Sequence, residues 1–210
     1  MKSEQLGEYT YRWDDACFPL GADSLALGDF CTLKPNQKVL DLGCGAGLLL
    51  LLAARRESNL SLFGVEMDPH AAQLARENLT ENGLAGTILT ADLTREPIPG
   101  GFDLVLSNPP WYPEGSGAAG GAGRMENAPL RDWCAVAAKA LKGKGRMAVC
   151  YPPERLTDLL AALRGVGLEP KRLQLCRHRA DKKPYTVLVE GVKNGRPGLE
   201  ILSDRLFEEV

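Results

Sequence analysis

The chain has no long hydrophobic run. Its longest apolar stretch, Leu48 to Ala54, falls far short of the ~20 residues that cross a bilayer. The opening MKSEQLGEYTYRWDD lacks the apolar centre of a signal peptide, so membrane insertion and secretion are not expected and a cytoplasmic location is. Histidine is scarce, with only His70 and His178, and none of the six cysteines stands in a Cys-x-x-Cys pair. Reduced thiols are expected at Cys17, Cys31, Cys44, Cys134, Cys150 and Cys176, with no zinc or other metal site. Positive charge is not in excess either: 25 Lys and Arg face 27 Asp and Glu, a formal net charge of −2. Binding a phosphate backbone without selectivity needs many clustered cations that release its counterions. The charge balance therefore excludes a nucleic-acid coat protein and leaves room for a local basic patch.

What is present describes a compact enzyme-sized unit. With 44% hydrophobic and 25% charged residues over 210 positions, the chain has a globular composition and a length that predicts one domain, residues 1–210. A monomer is assumed. From Lys38 onward short apolar runs alternate with amphipathic stretches, the pattern of βαβ units and a parallel sheet. The runs predict strands at Lys38–Leu42, Leu60–Glu66, Thr87–Thr90, Phe102–Ser107 and Arg146–Tyr151, and helices at Ala46–Arg55, Pro69–Asn82, Asn127–Leu141 and Pro153–Val166. Asp68-Pro69 and Pro152-Pro153 read as helix starts, and Asn82-Gly83 as a helix end. Two further strands, Leu168–Leu175 and Tyr185–Val192, flank the basic segment 176–184. The fold class expected is α/β, a doubly wound and mostly parallel seven-stranded sheet whose last strand is antiparallel. The Gly- and Ala-rich stretch 113–126 has neither helix nor strand periodicity, and its place after the motif described below favours a flexible substrate-covering loop over a passive linker.

Val39-Leu40-Asp41-Leu42-Gly43-Cys44-Gly45-Ala46-Gly47 is an apolar strand running into a glycine turn and then a helix, which brings backbone close to a nucleotide-like ligand. The Gly-x-Gly-x-Gly spacing differs from the pyrophosphate-binding pattern, and the acid Asp41 before the loop suits a cation better than a phosphate. S-adenosylmethionine carries a sulfonium and an ammonium, which favours it over a nicotinamide dinucleotide. At the next strand tip Glu66, followed by Met67, is placed to accept from ribose hydroxyls. Asp92, followed by Leu93, ends the third strand at the same edge, where it can accept from the adenine amino group. Cofactor ligands expected are thus Asp41, Gly43, Gly45, Gly47, Glu66, Met67, Asp92, Leu93 and Asn108.

Phe102 to Ser107 leads into Asn108-Pro109-Pro110-Trp111. Here the chain resembles the Asn-Pro-Pro-aromatic methyltransferases, which methylate amino groups attached to sp² carbon. Such nitrogens are poor nucleophiles because the lone pair is delocalised. The Asn108 side-chain carbonyl and the Pro109 backbone carbonyl would accept both N–H bonds and aim the lone pair at the methyl carbon. Pro109 and Pro110 restrict the turn, and Trp111 offers a face on which a base can stack. A strand-capping Pro-Pro turn with a buried Trp is the plainer alternative.

The motif alone leaves adenine in RNA or DNA, guanine in ribosomal RNA, cytosine in DNA and the glutamine of release factors all open. Nearly the whole chain resembles the valine-tRNA adenine-37 N6-methyltransferases, through a lead-in of residues 1–37 containing Asp23, through Arg124-Met125-Glu126, and through Tyr185 to Gly195. It departs from them in carrying Trp111 where Tyr is usual, in the composition of 113–123, and in its ending. The resemblance implies nucleic acid, namely tRNA, as the partner. It also gives substrate-binding roles to Arg12, Asp23 and Arg124 and to Arg177, Arg179, Lys182 and Lys183, which otherwise read as a solvated edge. A SAM- or RNA-binding module without activity is the non-enzyme alternative.

Overall fold

The computed structural model describes residues 1–17, 20–93, 95–110 and 129–207. Among them, a hairpin of β1 (Lys2–Leu6) and β2 (Tyr9–Trp13) precedes α1 (Ala22–Phe30). Then come β3 (Lys38–Leu42), α2 (Leu48–Arg56), β4 (Ser61–Glu66), α3 (Pro69–Glu81), β5 (Gly86–Thr90) and β6 (Phe102–Ser107). The second half holds α4 (Leu130–Ala140), β7 (Leu141–Tyr151), α5 (Leu156–Gly165), β8 (Leu168–Arg177), β9 (Thr186–Lys193), β10 (Glu200–Ile201) and β11 (Arg205–Leu206). The main sheet runs β10-β8-β9-β7-β6-β3-β4-β5, with β11 also on β8. Strands β5, β4, β3, β6 and β7 are mutually parallel and β9 is antiparallel to both neighbours.

The seven long strands are those expected, and the antiparallel strand is the last of them. Two corrections follow from the tail and the lead-in. The sheet has nine strands among the described residues, because 2-residue strands β10 and β11 pair with the β8 edge. Such short pairings carry no periodicity to read. The lead-in is likewise structured: Asn78 and Asn82, one helical turn apart on α3, hydrogen-bond the backbone of Arg12 and Thr10 on alternate residues of β2. The ~6 Å step of an i,i+4 pair matches the two-residue step of a strand, so α3 receives β2 as a strand edge would.

Helix starts follow the expected chemistry. Asp68 caps α3 by accepting from His70 N, with Pro69 at the first position, and Gly83 (φ 68°) follows the end of α3 at Asn82. The predicted last helix opens instead with a 3-10 turn at Pro153–Arg155 before α5, and β7 begins five residues earlier than predicted, at Leu141. The first predicted helix is α2 and starts at Leu48 rather than Ala46, since Gly47 is left-handed (φ 88°), while α1 was not predicted.

Alternation along the strands sends residues to two cores. Val39, Leu104 and Ala148 face α1, α2 and α3, whereas Leu40, Val105 and Met147 face α4 and α5. Helices on both faces are what the near-continuous apolar strands require. Glu190 of β9, fully buried, accepts from Thr32 N and Oγ1 at 2.9 Å and pairs with Arg146 at 2.8 Å. Its charge is thereby compensated, and the end of α1 is tied to the sheet. All six cysteines are free and buried, and no helix is long and apolar enough to cross a membrane among the described residues.

Candidate active site

A cleft of about 470 Å³ opens at the carboxyl ends of the parallel strands, where β3 and β6 lie side by side and the chain winds away in opposite directions. That switch point is where open α/β sheets bind ligands. Its lining brings together Asp41, Gly43, Gly45, Glu66, Asp92 and Asn108, residues up to 67 positions apart in sequence, together with Met67, Leu93 and Pro110.

The glycine turn shows why side chains are missing. Gly43, Gly45 and Gly47 all have positive φ, at 72°, 52° and 88°. A Cβ on Gly43 would stand 2.9 Å from the Trp133 ring, and one on Gly47 would press on Ala75 of α3 at 3.3 Å. Gly47 itself supports the turn from outside the cleft. The turn is closed by Glu66, whose two carboxylate oxygens accept from Gly45 N (2.8 Å) and Asp68 N (2.9 Å). A strand-tip acid held by two backbone donors has a fixed direction before any ligand arrives.

Asp41 is the unusual charge. It is 1% exposed, and its Oδ1 has no hydrogen-bond partner among the described residues. Burial, and then the nearby Glu66, push its pKa well above the ordinary carboxylate range. A buried carboxyl is expensive to ionise without a cation, and here it lines a cleft into which a cation fits. Trp133 of α4 contributes a second buried group to the same wall, its indole N–H, which has no partner among the described residues. Asp92, beyond β5, lies near Arg95 at 3.4 Å.

Asn108 follows β6, whose end is pinned by Ser107 Oγ donating to Leu42 O at 2.9 Å. The Asn108 amide nitrogen donates to Asp23 Oδ2 (3.1 Å) and Ser24 Oγ (3.0 Å) at the start of α1. With both N–H bonds spent on α1, the amide is oriented, and its carbonyl oxygen remains as the acceptor. The structure thus sets Asp23 directly behind the Asn108 amide. Pro109 is buried, while Trp111 and Arg124, with the stretch 113–126, lie outside the described residues.

The other expected substrate contacts are not in the cleft lining. Arg12 reaches α3 and pairs with Glu81 at 2.6 Å. The basic loop after β8 stands at the carboxyl edge of the sheet, but Arg177 is paired with Asp204 at 2.5 Å and Arg179 with Asp181 at 3.1 Å. Lys182 and Lys183 are exposed and form no ion pair among the described residues. Sequence reasoning missed Tyr11, Cys17, Ser24 and Trp133 as cleft residues. The first three come from the lead-in, which only the resemblance had marked, and nothing local in the sequence marks Trp133. It also missed the 2.7 Å His70–Asp14 pair, which ties the segment after β2 to the start of α3 at the cleft rim.

A doubly wound sheet with an antiparallel strand next to β7 and a glycine-turn cleft at its switch point defines a class I SAM-dependent methyltransferase. The chain belongs to the methyltransferase small domain family, whose model matches residues 24–154. It is 32% identical over 186 residues to a protein from Porphyromonas gingivalis named tRNA1(Val) (adenine(37)-N6)-methyltransferase, covering 81% of this chain and 73% of that one. A Trichodesmium erythraeum protein of the same name is 27% identical, with 84% and 76% covered. Among solved structures, a predicted O-methyltransferase from Agrobacterium tumefaciens superposes with a TM-score of 0.70 at 21% identity, over 88% of this chain and 86% of that one. A Pyrococcus furiosus methyltransferase gives 0.66 at 18%, over 87% and 88%. These two likenesses concern the fold.

Proposed function

We propose that the protein transfers a methyl group from S-adenosylmethionine to the N6 amino group of an adenine in tRNA, adenine 37 in the anticodon loop of a valine tRNA, acting as a cytoplasmic monomer. The observation that carries the chemistry is the fixed amide of Asn108: its nitrogen is committed to Asp23 and Ser24, so its carbonyl oxygen faces the amine to be methylated. The substrate assignment is supported by the relatives named for that reaction.

The cleft residues fit the cofactor. Asp41, buried with its Oδ1 unpartnered among the described residues, takes the ammonium of its amino-acid end, and the glycine turn lets the backbone approach. Glu66, already held by two backbone amides, accepts from the ribose hydroxyls, and Asp92 meets the adenine beside Met67 and Leu93. When bound, the cofactor supplies an electrophilic methyl on a sulfonium. Asn108 and the Pro109 carbonyl draw the target nitrogen toward tetrahedral geometry and face the positive charge that grows on it, so position and dipoles replace a general base. The surplus proton leaves to water after transfer. Trp111, next in the motif, serves as the stacking face for the extruded base.

The test incubates the purified protein with methyl-labelled S-adenosylmethionine and, separately, unmodified tRNA, ribosomal RNA, DNA and a release factor, and digests the labelled nucleic acid to nucleosides. N6-methyladenosine from tRNA is the expected product. Label confined to the release factor or to another nucleoside would overturn the substrate, and no label anywhere would favour a binding module.

A further inference from the structure

At the carboxyl edge of the sheet a stack of aromatic rings stands outside the cleft. Tyr185, just before β9, is held by its N–H donating to Cys176 O at 2.9 Å, and its hydroxyl is buried with no hydrogen-bond partner among the described residues. His178, just after β8, stacks on it with ring centroids 4.4 Å apart and planes 24° from parallel. Phe207 meets His178 edge-on at 6.3 Å and is itself anchored by its N–H donating to Arg177 O at 2.8 Å. His178 nevertheless remains exposed. An aromatic ring is thus held rigid by three separate chain segments while still presenting surface to solvent.

Register places this stack beside the catalytic motif. Ser107 of β6 pairs with Val149 of β7, and Val149 with Val189 of β9. Strand β9 therefore lies two strand spacings, roughly 10 Å, from β6. Because β9 runs antiparallel, its start points the same way as the end of β6, and Tyr185 stands two residues beyond the Val187–Tyr151 pair. Lys182 and Lys183 flank the stack on the same loop.

We propose that the His178–Tyr185 stack is a nucleobase-stacking subsite for a base neighbouring the one presented to Asn108, with Lys182 and Lys183 meeting the phosphates between them. The proposal rests on RNA being the substrate. A rigid, pre-stacked ring loses little freedom when a base covers it, and stacking tolerates any base because each has a π-face. Selection of the target stays with Asn108, and the subsite holds the strand in register.

The test uses an anticodon stem–loop RNA with the wild type, His178→Ala, His178→Phe and His178→Leu. Alanine is expected to raise the KM for RNA roughly ten-fold while kcat, the melting temperature and cofactor affinity stay near wild type. Phenylalanine restores the KM and leucine does not, which separates stacking from packing. A 2-aminopurine beside the target base should be quenched by the wild type and by His178→Phe, but not by His178→Ala. An unchanged KM in His178→Ala, or leucine equal to phenylalanine, would overturn the subsite. If the wild type methylates no RNA at all, the substrate reading fails, and the subsite with it.

Discussion

The two sides of the cleft are built differently. The side proposed to hold the cofactor is local: Asp41, the glycine turn, Glu66 and Asp92 come from three successive strands, β3, β4 and β5, and each stands at or just past a strand end. The substrate side is assembled from distant segments. Asn108 is oriented by Asp23 and Ser24, 85 and 84 residues away, and the edge beside it is formed by the loop after β8 together with the end of the chain. The first side is a binding surface whose geometry is dictated by backbone. The second, in the proposed function, is a positioning device that depends on how α1 meets the end of β6.

Substitutions can break that division. Asn108→Ala should have the largest effect, lowering turnover by about 10²–10³-fold, the scale of losing one preorganised polar contact to a developing charge. Cofactor affinity by calorimetry should stay unchanged. A parallel loss of cofactor binding would mean the two sides are not separable.

Asp41→Asn should do the opposite, weakening cofactor binding by roughly 30-fold or more, as removing one partner of a buried charge pair does. It should also stabilise the cofactor-free protein. The folded-state pKa of Asp41 is raised, so the folded state holds the proton more tightly than the unfolded chain. Stability from this group is therefore lost as pH rises from the unfolded carboxylate pKa, about 4, through the raised folded value. The variant should lack that loss. The wild type should release a proton on binding the cation, which calorimetry in buffers of different ionisation enthalpy detects. A binding enthalpy that does not change with the buffer would show that no proton is released and argue that Asp41 is already ionised.

Asp23→Ala should be milder, releasing one of two bonds on the Asn108 amide and lowering turnover about ten- to a hundred-fold through misorientation alone. The smallest effect is expected at the loop. Neutralising Lys182 and Lys183 should flatten the slope of log affinity for RNA against log salt by one to two units, roughly one per cation lost. Adding Arg177 and Arg179 to the variant should change the slope little, since both are already paired with Asp204 and Asp181. Four equal contributions would show that these pairs open on binding.

The same division explains what was readable beforehand. Periodicity, the glycine spacing and acids at strand tips are short-range signals, and they located β3 to β6, the caps of α3 and the three acids that line the cleft, Asp41, Glu66 and Asp92. The Asn-Pro-Pro motif was equally local. Asp23 was picked out through resemblance, yet its contact with the Asn108 amide lies across the fold, where no spacing rule reaches. Trp133 and Glu190 are invisible for the same reason, one an indole on an ordinary helix and the other an acid inside an apolar strand. The hairpin was overlooked because its partner is a pair of asparagines on a helix rather than another strand of the main sheet. The basic run read as an unbroken patch because its neutralising acid Asp204 lies 27 residues beyond Arg177.

The most direct measurement gives the protein methyl-labelled S-adenosylmethionine and two anticodon stem–loops that differ only at position 37, one with adenine and one with purine riboside, which lacks the 6-amino group. The account predicts label in the adenine RNA alone, recovered wholly as N6-methyladenosine. Equal labelling of both RNAs, or methyl on a ring position, would contradict a site built to hold an exocyclic amine between the Asn108 and Pro109 carbonyls.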